Sequence, residues 1–231
     1  MHEERGLPPG QRQVEGFPRF GAHLARPAPA VPAHPVIELG GALSEPVEFP
    51  LSQLPGLPRT EIAADFHCVA GWSATGLRWE GVSFATFYRA VVEPALPPGT
   101  AITHVVCRGL DGWRSVQTVE DAMADDVLLA EHLDGRPLDG DHGAPVRLVS
   151  PRQYGHFSVK HLCGIDVLTA APACTEGPLL RPHPRGRVWE EERHGLVPGR
   201  LVRPVYRALI APIRALSARG AGRTAAPAPP R

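Results

Sequence analysis

The segment Thr60-Glu61-Ile62-Ala63-Ala64-Asp65-Phe66-His67-Cys68-Val69-Ala70-Gly71-Trp72-Ser73 alternates apolar and polar residues before it meets a glycine. Thr60, Ile62, Ala64, Phe66 and Cys68 share one face of a period-2 pattern, and Glu61, Asp65 and His67 share the other. The segment therefore reads as a strand with one buried face. Cys68 closes that strand, points inward and enters a turn, whereas His67 is expected on the solvent side. Two uses of the thiol compete: a small hydrophobe in the core, or a thiolate for a soft metal.

Short apolar runs separated by Gly, Pro and Asp turns continue on both sides: Val36–Leu39, Val47–Leu51, Thr60–Val69, Leu77–Trp79, Thr103–Cys107, Ser115–Thr118, Val127–Glu131, Val146–Val149 and Leu162–Val167. Many short strands at such intervals predict a β-rich core. One helix is clear. Ser83 caps it, Phe84, Phe87, Tyr88, Val91 and Val92 recur at helical spacing, and Pro94 stops it. Asp134-Gly135 has the chemistry of a hairpin turn. The fold class is thus α+β, with β-rich mixed sheets and few helices.

Three regions follow. Residues 1–35 form a Pro-, Gly- and Arg-rich arm extended over the domain, with Phe17-Pro18-Arg19-Phe20-Gly21 as its aromatic cluster. Residues 36–170 form the domain. Residues 171–231 are a Pro/Arg-rich extension with no acidic residue after Glu192, in which Val202, Tyr206, Leu209, Ile213 and Leu216 recur at helical spacing among arginines. Such a basic amphipathic helix can dock on a membrane surface or a partner. Pro204 and Pro212 are expected to interrupt it, so a packed or frayed extension is the competing reading.

Composition excludes several classes. Four cysteines (Cys68, Cys107, Cys163, Cys174) include no CxxC pair and no regular framework, which argues against a zinc ribbon or a disulfide scaffold. His156 and His161 lack zinc spacing and read as structural. Met1-His2-Glu3-Glu4-Arg5-Gly6-Leu7-Pro8-Pro9 carries no apolar signal region, and no stretch approaches the roughly 20 apolar residues that span a bilayer, so a cytoplasmic location is expected. No nucleic-acid partner is expected. Of 24 cationic residues 23 are arginine, Lys160 is the one lysine, and asparagine is absent. A chain that drifts towards arginine has kept one compact ammonium, which marks Lys160 as a position where a guanidinium fork does not fit.

Arg147 begins a buried-looking strand in His142-Gly143-Ala144-Pro145-Val146-Arg147-Leu148-Val149, and Ser158 and Lys160 follow in Tyr154-Gly155-His156-Phe157-Ser158-Val159-Lys160. With the Cys68 turn, these segments read as an anion-binding cleft in which Arg147 forks onto a phosphate and Ser158 and Lys160 add donors. Arg147 as a hairpin cap is the bland alternative.

The ordered set Cys68-x-x-x-Trp72-Ser73, Trp79-x-Gly81-Val82, Asp111-Gly112-Trp113, Asp125-Asp126-Val127-Leu128-Leu129-Ala130, Leu133-Asp134-Gly135-x-Pro137-Leu138, His142 to Val149 and Tyr154-Gly155-x-x-Ser158-Val159-Lys160 resembles the sulfite oxidase-type molybdopterin oxidoreductases over about residues 36–170. The Cys68-Val69-x-x-Trp72-Ser73 run looks closest to the catalytic subunits of periplasmic methionine sulfoxide reductases. The resemblance implies Mo-molybdopterin, with Cys68 as the protein ligand to the metal and Arg147 and the Ser158-Val159-Lys160 run on the pterin phosphate. It also assigns pterin contacts to Phe17-Pro18-Arg19, to His142 where many relatives have Asn, and to Gly109 where a Thr or Ser is usual.

Eukaryotic sulfite oxidases carry arginines just after the metal cysteine, whereas Trp72, Ser73, Ala74 and Thr75 follow here. A sulfoxide-like substrate therefore fits better than sulfite, although Arg78 and Arg108 leave an oxyanion as a third reading. No haem or iron–sulfur motif is present, so the resemblance implies a separate electron-transfer protein. The alternative from another class is a cofactor-free binding module on the same fold, contacting a partner or surface through its basic tail.

Overall fold

The computed structural model describes residues 6–21, 23–173 and 183–225; Met1–Arg5 and Cys174, which entered the sequence reading, lie outside the described residues. In chain order the strands are β1 (Arg12–Gln13), β2 (Val36–Gly41), β3 (Val47–Pro50), β4 (Arg59–Ala63), β5 (Phe66–His67), β6 (Trp72–Ala74) and β7 (Arg78–Ser83). They continue as β8 (His104–Gly109), β9 (Arg114–Thr118), β10 (Leu128–Leu133), β11 (Arg136–Pro137), β12 (Arg147–Val149) and β13 (Leu162–Leu168). The helices are α1 (Phe84–Phe87), α2 (Val119–Ala122) and α3 (Gly199–Ala218). Every apolar run read from the sequence lies on or overlaps a strand, and the architecture is the β-rich α+β class expected.

One five-stranded sheet has the order β3-β2-β13-β8-β9, with β2 and β13 parallel and the other neighbours antiparallel. A second runs β11-β10-β7-β4, with β12 also paired to β10. The first core lies under α1: Ile37, Leu39, Val105, Ile165 and Val167 from the sheet meet Phe84, Phe87, Tyr88 and Val92, all buried. Each such side chain contributes about 1.5–3 kcal/mol on burial. Phe49 meets Phe87 edge-on, ring centres 5.1 Å apart at 89°. As expected, the Ser83 hydroxyl caps α1 by accepting the Thr86 N–H at 3.1 Å. The helical path then loosens through Tyr88–Val92 and tightens at Glu93–Ala95, where Pro94 ends it.

The Thr60–Val69 run does not form one strand. Alternation holds through β4, but at Ala64-Asp65 the chain leaves the second sheet, and β5 pairs with β6 in a separate small sheet of order β1-β6-β5. The break resets the parity. His67, expected at the surface, is only 6 % exposed, with its Nδ1 2.8 Å from the Ser73 Oγ. The arm supplies the third strand of this sheet: β1 lies parallel to β6, with the Arg12 and Val14 N–H groups on the Gly71 and Ser73 carbonyls. A two-residue strand has no periodicity for a sequence reading to detect.

The C-terminal segment also differs from expectation, because α3 runs unbroken through Pro204 and Pro212. Each proline removes one helical hydrogen bond, a cost of roughly 3 kcal/mol in an isolated helix. Both prolines sit on the exposed side, while Tyr206 and Ile210 pack against the second core. Tertiary packing outweighs the local penalty. The arm meets the region just beyond α3, where the Ala28 N–H donates to the Arg223 carbonyl at 2.9 Å and the Ala225 N–H to the Ala28 carbonyl at 2.7 Å. Among the described residues no helix is long and apolar enough to cross a membrane.

Candidate functional site

Cys68 follows β5 and opens a tight turn. Its N–H donates to the Trp72 carbonyl at 2.8 Å, and the Gly71 N–H donates back to the Cys68 carbonyl at 2.9 Å. The turn requires φ +101° at Gly71, a conformation that disfavours any side chain. The Gln11 side-chain amide donates to the Cys68 carbonyl at 3.1 Å, and the Ser73 hydroxyl, itself beside His67, donates to Gln11 Oε1 at 3.2 Å. This polar chain from the arm fixes the turn. The Cys68 Sγ accepts the Ala70 N–H at 3.5 Å, and the residue is 7 % exposed. Burial pushes the thiol up to about 12, with Arg193 and Lys160 acting in the opposite direction. A free thiol here stays protonated at neutral pH; a bound cation would deprotonate it.

The three segments expected to converge do so. The Gly155 N–H donates to the His67 carbonyl at 2.7 Å, and the Leu148 N–H to the Val159 carbonyl at 2.8 Å, which sets the 154–160 run beside both β5 and β12. Arg147 is fully buried. Its Nη1 donates to the His142 carbonyl at 3.0 Å and its Nη2 to the Ser158 carbonyl at 3.1 Å. The guanidinium carbon lies 5.2–5.7 Å from the ring centres of Trp79, Phe66 and Phe17. Burial pushes its pKa down to about 9, the signature of a charge without a counterion. Lys160 donates from Nζ to the Asp141 carbonyl at 2.5 Å, and burial followed by Arg147 and Arg19 pushes it down to about 7.

The remaining sequence-predicted residues surround this pair. The Ser158 Oγ accepts the Ser150 N–H at 3.1 Å, and Val159 is buried in the first core. His142 stacks on Phe17 with ring centres 5.0 Å apart; its Nδ1 lies 2.8 Å from Asp139 Oδ1 and its Nε2 2.9 Å from the Phe17 carbonyl oxygen. Pro18 is half-buried next to it. Arg19 pairs with Asp141 at 2.9 Å and donates to the carbonyls of Leu24, Ser217 and Arg26, so its guanidinium joins the arm to α3.

Gly109 has a physical reason to be glycine. A Cβ there would lie 2.4 Å from the Lys160 carbonyl oxygen and 2.7 Å from Asp111 Oδ1, while its N–H is held by the Trp113 carbonyl at 2.9 Å. Gly109→Ser is therefore expected to destabilise the cofactor-free protein by about 1–3 kcal/mol, because backbone must shift under Lys160. Thermal denaturation of the two proteins compares them directly, and an unchanged midpoint refutes this packing account.

Two contributors were not legible in the sequence. Arg193, from the extension, is buried, donates from Nη2 to the Gly10 carbonyl at 2.9 Å, and sits 3.1 Å from where a Gly71 Cβ would be. No spacing pattern announces it. His23 carries a pKa pushed down to about 3, first by burial and then by Lys160, Arg19 and His161. Among the described residues the buried Nε2 of His23, Nε1 of Trp72 and Nε of Arg193 find no hydrogen-bond partner.

Arg19 and Arg147 thus gather around Lys160, Lys160 and Arg193 act on the Cys68 thiol, and among the described residues the only ion pair any of the four makes is Arg19 with Asp141. A buried charge without a partner costs several kcal/mol, so this arrangement is built around an anion. The donor set fits a phosphorylated ligand carrying a soft metal: one thiol, several unneutralised cations and unpartnered N–H groups. Among the described residues no cluster of three His, Cys, Asp or Glu is placed to hold a metal.

Residues 23–175 match the sequence model of a family described as the oxidoreductase molybdopterin binding domain. The chain is 32% identical over 130 residues to the uncharacterized oxidoreductase YuiH of Bacillus subtilis, covering 56% of this chain and 63% of that protein. It is 29% identical over 180 residues to the protein-methionine-sulfoxide reductase catalytic subunit MsrP of Gluconobacter oxydans, covering 69% of this chain and 56% of that protein. The chain spans about half to two thirds of the length of these curated relatives. Among solved structures, the sulfane dehydrogenase SoxCD from Paracoccus pantotrophus shares the fold, with a TM-score of 0.53 and 23% identity over 68% of this chain and 44% of that one.

Proposed function

Because the chain belongs to the oxidoreductase molybdopterin-binding domain family, we propose that it is a molybdenum-molybdopterin oxidoreductase that moves an oxygen atom to or from a small substrate. One observation carries this reading: the buried Cys68 thiol feels the cations Lys160 and Arg193, and among the described residues neither of these nor the buried Arg147 forms an ion pair. When bound, the cofactor supplies two-electron redox chemistry at the metal. Cys68 holds the metal. Arg147, Ser158, Val159 and Lys160 hold the phosphate, and Gly109, His142 and the Phe17-Pro18-Arg19 segment border the pterin. Phe17, Phe66, Trp72 and Trp79 exclude water around Arg147, which strengthens its grip on an anion. The catalytic domain is 36–170, and the described residues of the 1–35 arm and of the 171–231 extension pack against it.

The substrate is sulfoxide-like in preference to sulfite. Trp72, Ser73 and Ala74 place no charge beside the thiol, and Arg108, which an oxyanion could have used, is committed to Asp166 and Glu38 on the other sheet. A second reading, oxidation of an oxyanion, has one observation in its favour: Arg193 acts electrostatically on Cys68. Turnover with a sulfoxide against turnover with sulfite separates them. Electrons pass to or from a separate protein, and the enzyme works in the cytoplasm.

Metal analysis and acid-oxidised pterin fluorescence of protein made in a molybdopterin-competent host test the proposal. Stoichiometric molybdenum and pterin are expected. Folded protein carrying neither overturns it and leaves a cofactor-free binding module.

A further inference from the structure

The outward side of α3 is apolar. Leu201, Val205 and Leu209 recur every four residues and are 61 %, 62 % and 45 % exposed, and Leu196, just before the helix, is 67 % exposed. Pro204, Ala208, Pro212 and Ala215 fill the same exposed arc, while Tyr206 and Ile210 on the opposite side pack into the second core. An arc of this kind extends for about four turns, longer than the scattered apolar residues of an ordinary protein surface.

Charge lies along one flank of that arc. Arg200, Arg207 and Arg214 follow one another at near-helical repeats, none forms an ion pair among the described residues, and no acidic residue follows Glu192. Arg203, on the inward flank, is the one arginine of the helix paired with a carboxylate, Glu192. The chain as a whole is neutral, with 24 acidic and 24 basic residues, so this is a local concentration of positive charge.

We propose that the outward face of α3 docks on an anionic lipid bilayer. The aliphatic arc enters the boundary between headgroups and acyl chains, and the arginine flank meets the lipid phosphates. Both prolines lie on this face, where the carbonyls they release remain within the hydrated headgroup layer. A second copy of the chain fits the same face less well, since an antiparallel two-fold contact would bring like-charged flanks together and no two-fold contact would offer the arginines a carboxylate on the helix. The proposal does not depend on the cofactor.

Co-sedimentation of the full chain with vesicles of phosphatidylglycerol and phosphatidylcholine, or of phosphatidylcholine alone, tests it. Binding is expected to the anionic vesicles only, and to weaken as salt is raised. The variant Leu201→Glu/Val205→Glu/Leu209→Glu and the variant Arg200→Gln/Arg207→Gln/Arg214→Gln should each lower binding about tenfold. All six positions face solvent, so both variants should keep the wild-type melting midpoint. Absence of binding to anionic vesicles, equal binding to both kinds, or unaltered binding by the glutamate variant overturns the proposal. A concentration-dependent dimer that the glutamate variant abolishes, without vesicle binding, reassigns the face to self-association.

Discussion

Cys68→Ser is expected to reduce turnover by more than about a hundredfold while leaving the fold intact. The bound depends on the metal: loss of a residue that only orients a metal ligand already costs roughly 10–100-fold, and Cys68 is proposed as the ligand itself. Serine offers a hard oxygen donor that prefers to stay protonated, where the softer thiolate suits molybdenum. Nothing in the packing opposes the change, since the Sγ accepts the Ala70 N–H at a long 3.5 Å. The melting midpoint of cofactor-free protein should barely move. Pterin should remain bound through the cationic cradle, and the metal–thiolate absorption should disappear. Wild-type turnover in the variant would remove Cys68 from the mechanism.

Lys160→Met should shift stability and cofactor binding in opposite directions. The Lys160 pKa is held at about 7 against 10.5 for a free side chain, with burial as the largest cause. Between these values the unfolded chain carries a proton that the folded chain does not, so stability rises with pH across the window and the penalty is complete below about pH 7. Methionine fills a similar volume without the charge. The cofactor-free variant should therefore be about 1–4 kcal/mol more stable than wild type at or below neutrality, and should lack that rise with pH. Pterin content after purification should fall by about tenfold or more, because the ammonium that answers the phosphate is gone. Denaturant titrations from pH 6 to 10 and pterin fluorescence provide the two measurements. A variant less stable at pH 6 that retains pterin would exclude Lys160 from the anion site.

Much of this was legible in the sequence because it rests on local pattern. The alternating runs became strands, Ser83 capped its helix, and Asp134-Gly135, with φ of +51° and +75°, turned the hairpin between β10 and β11. Arg147 and Lys160 stood out because their residue types were unusual for their settings. What escaped depended on contacts between distant segments. His67 took the wrong parity because a change of sheet at Ala64-Asp65 leaves no mark on composition. Arg193 lies 125 positions from Cys68 and acts on it only because the extension folds back. Proline statistics argued against α3, yet the statistics describe helices without a partner, and this one packs Tyr206 and Ile210 against the second core.

The clasp between Arg19 and the Ser217 carbonyl, together with the Ala28 pairing to Arg223 and Ala225, has a consequence for the order of synthesis. All thirteen strands leave the ribosome before Arg193 and the helix that follows it. The arm can pair β1 with β6 once residues 71–73 have emerged, but its Arg19 and Ala28 contacts wait for residues 217–225. A nascent chain can therefore assemble the sheets and the Cys68 turn before residues 193–225 close over one side of them.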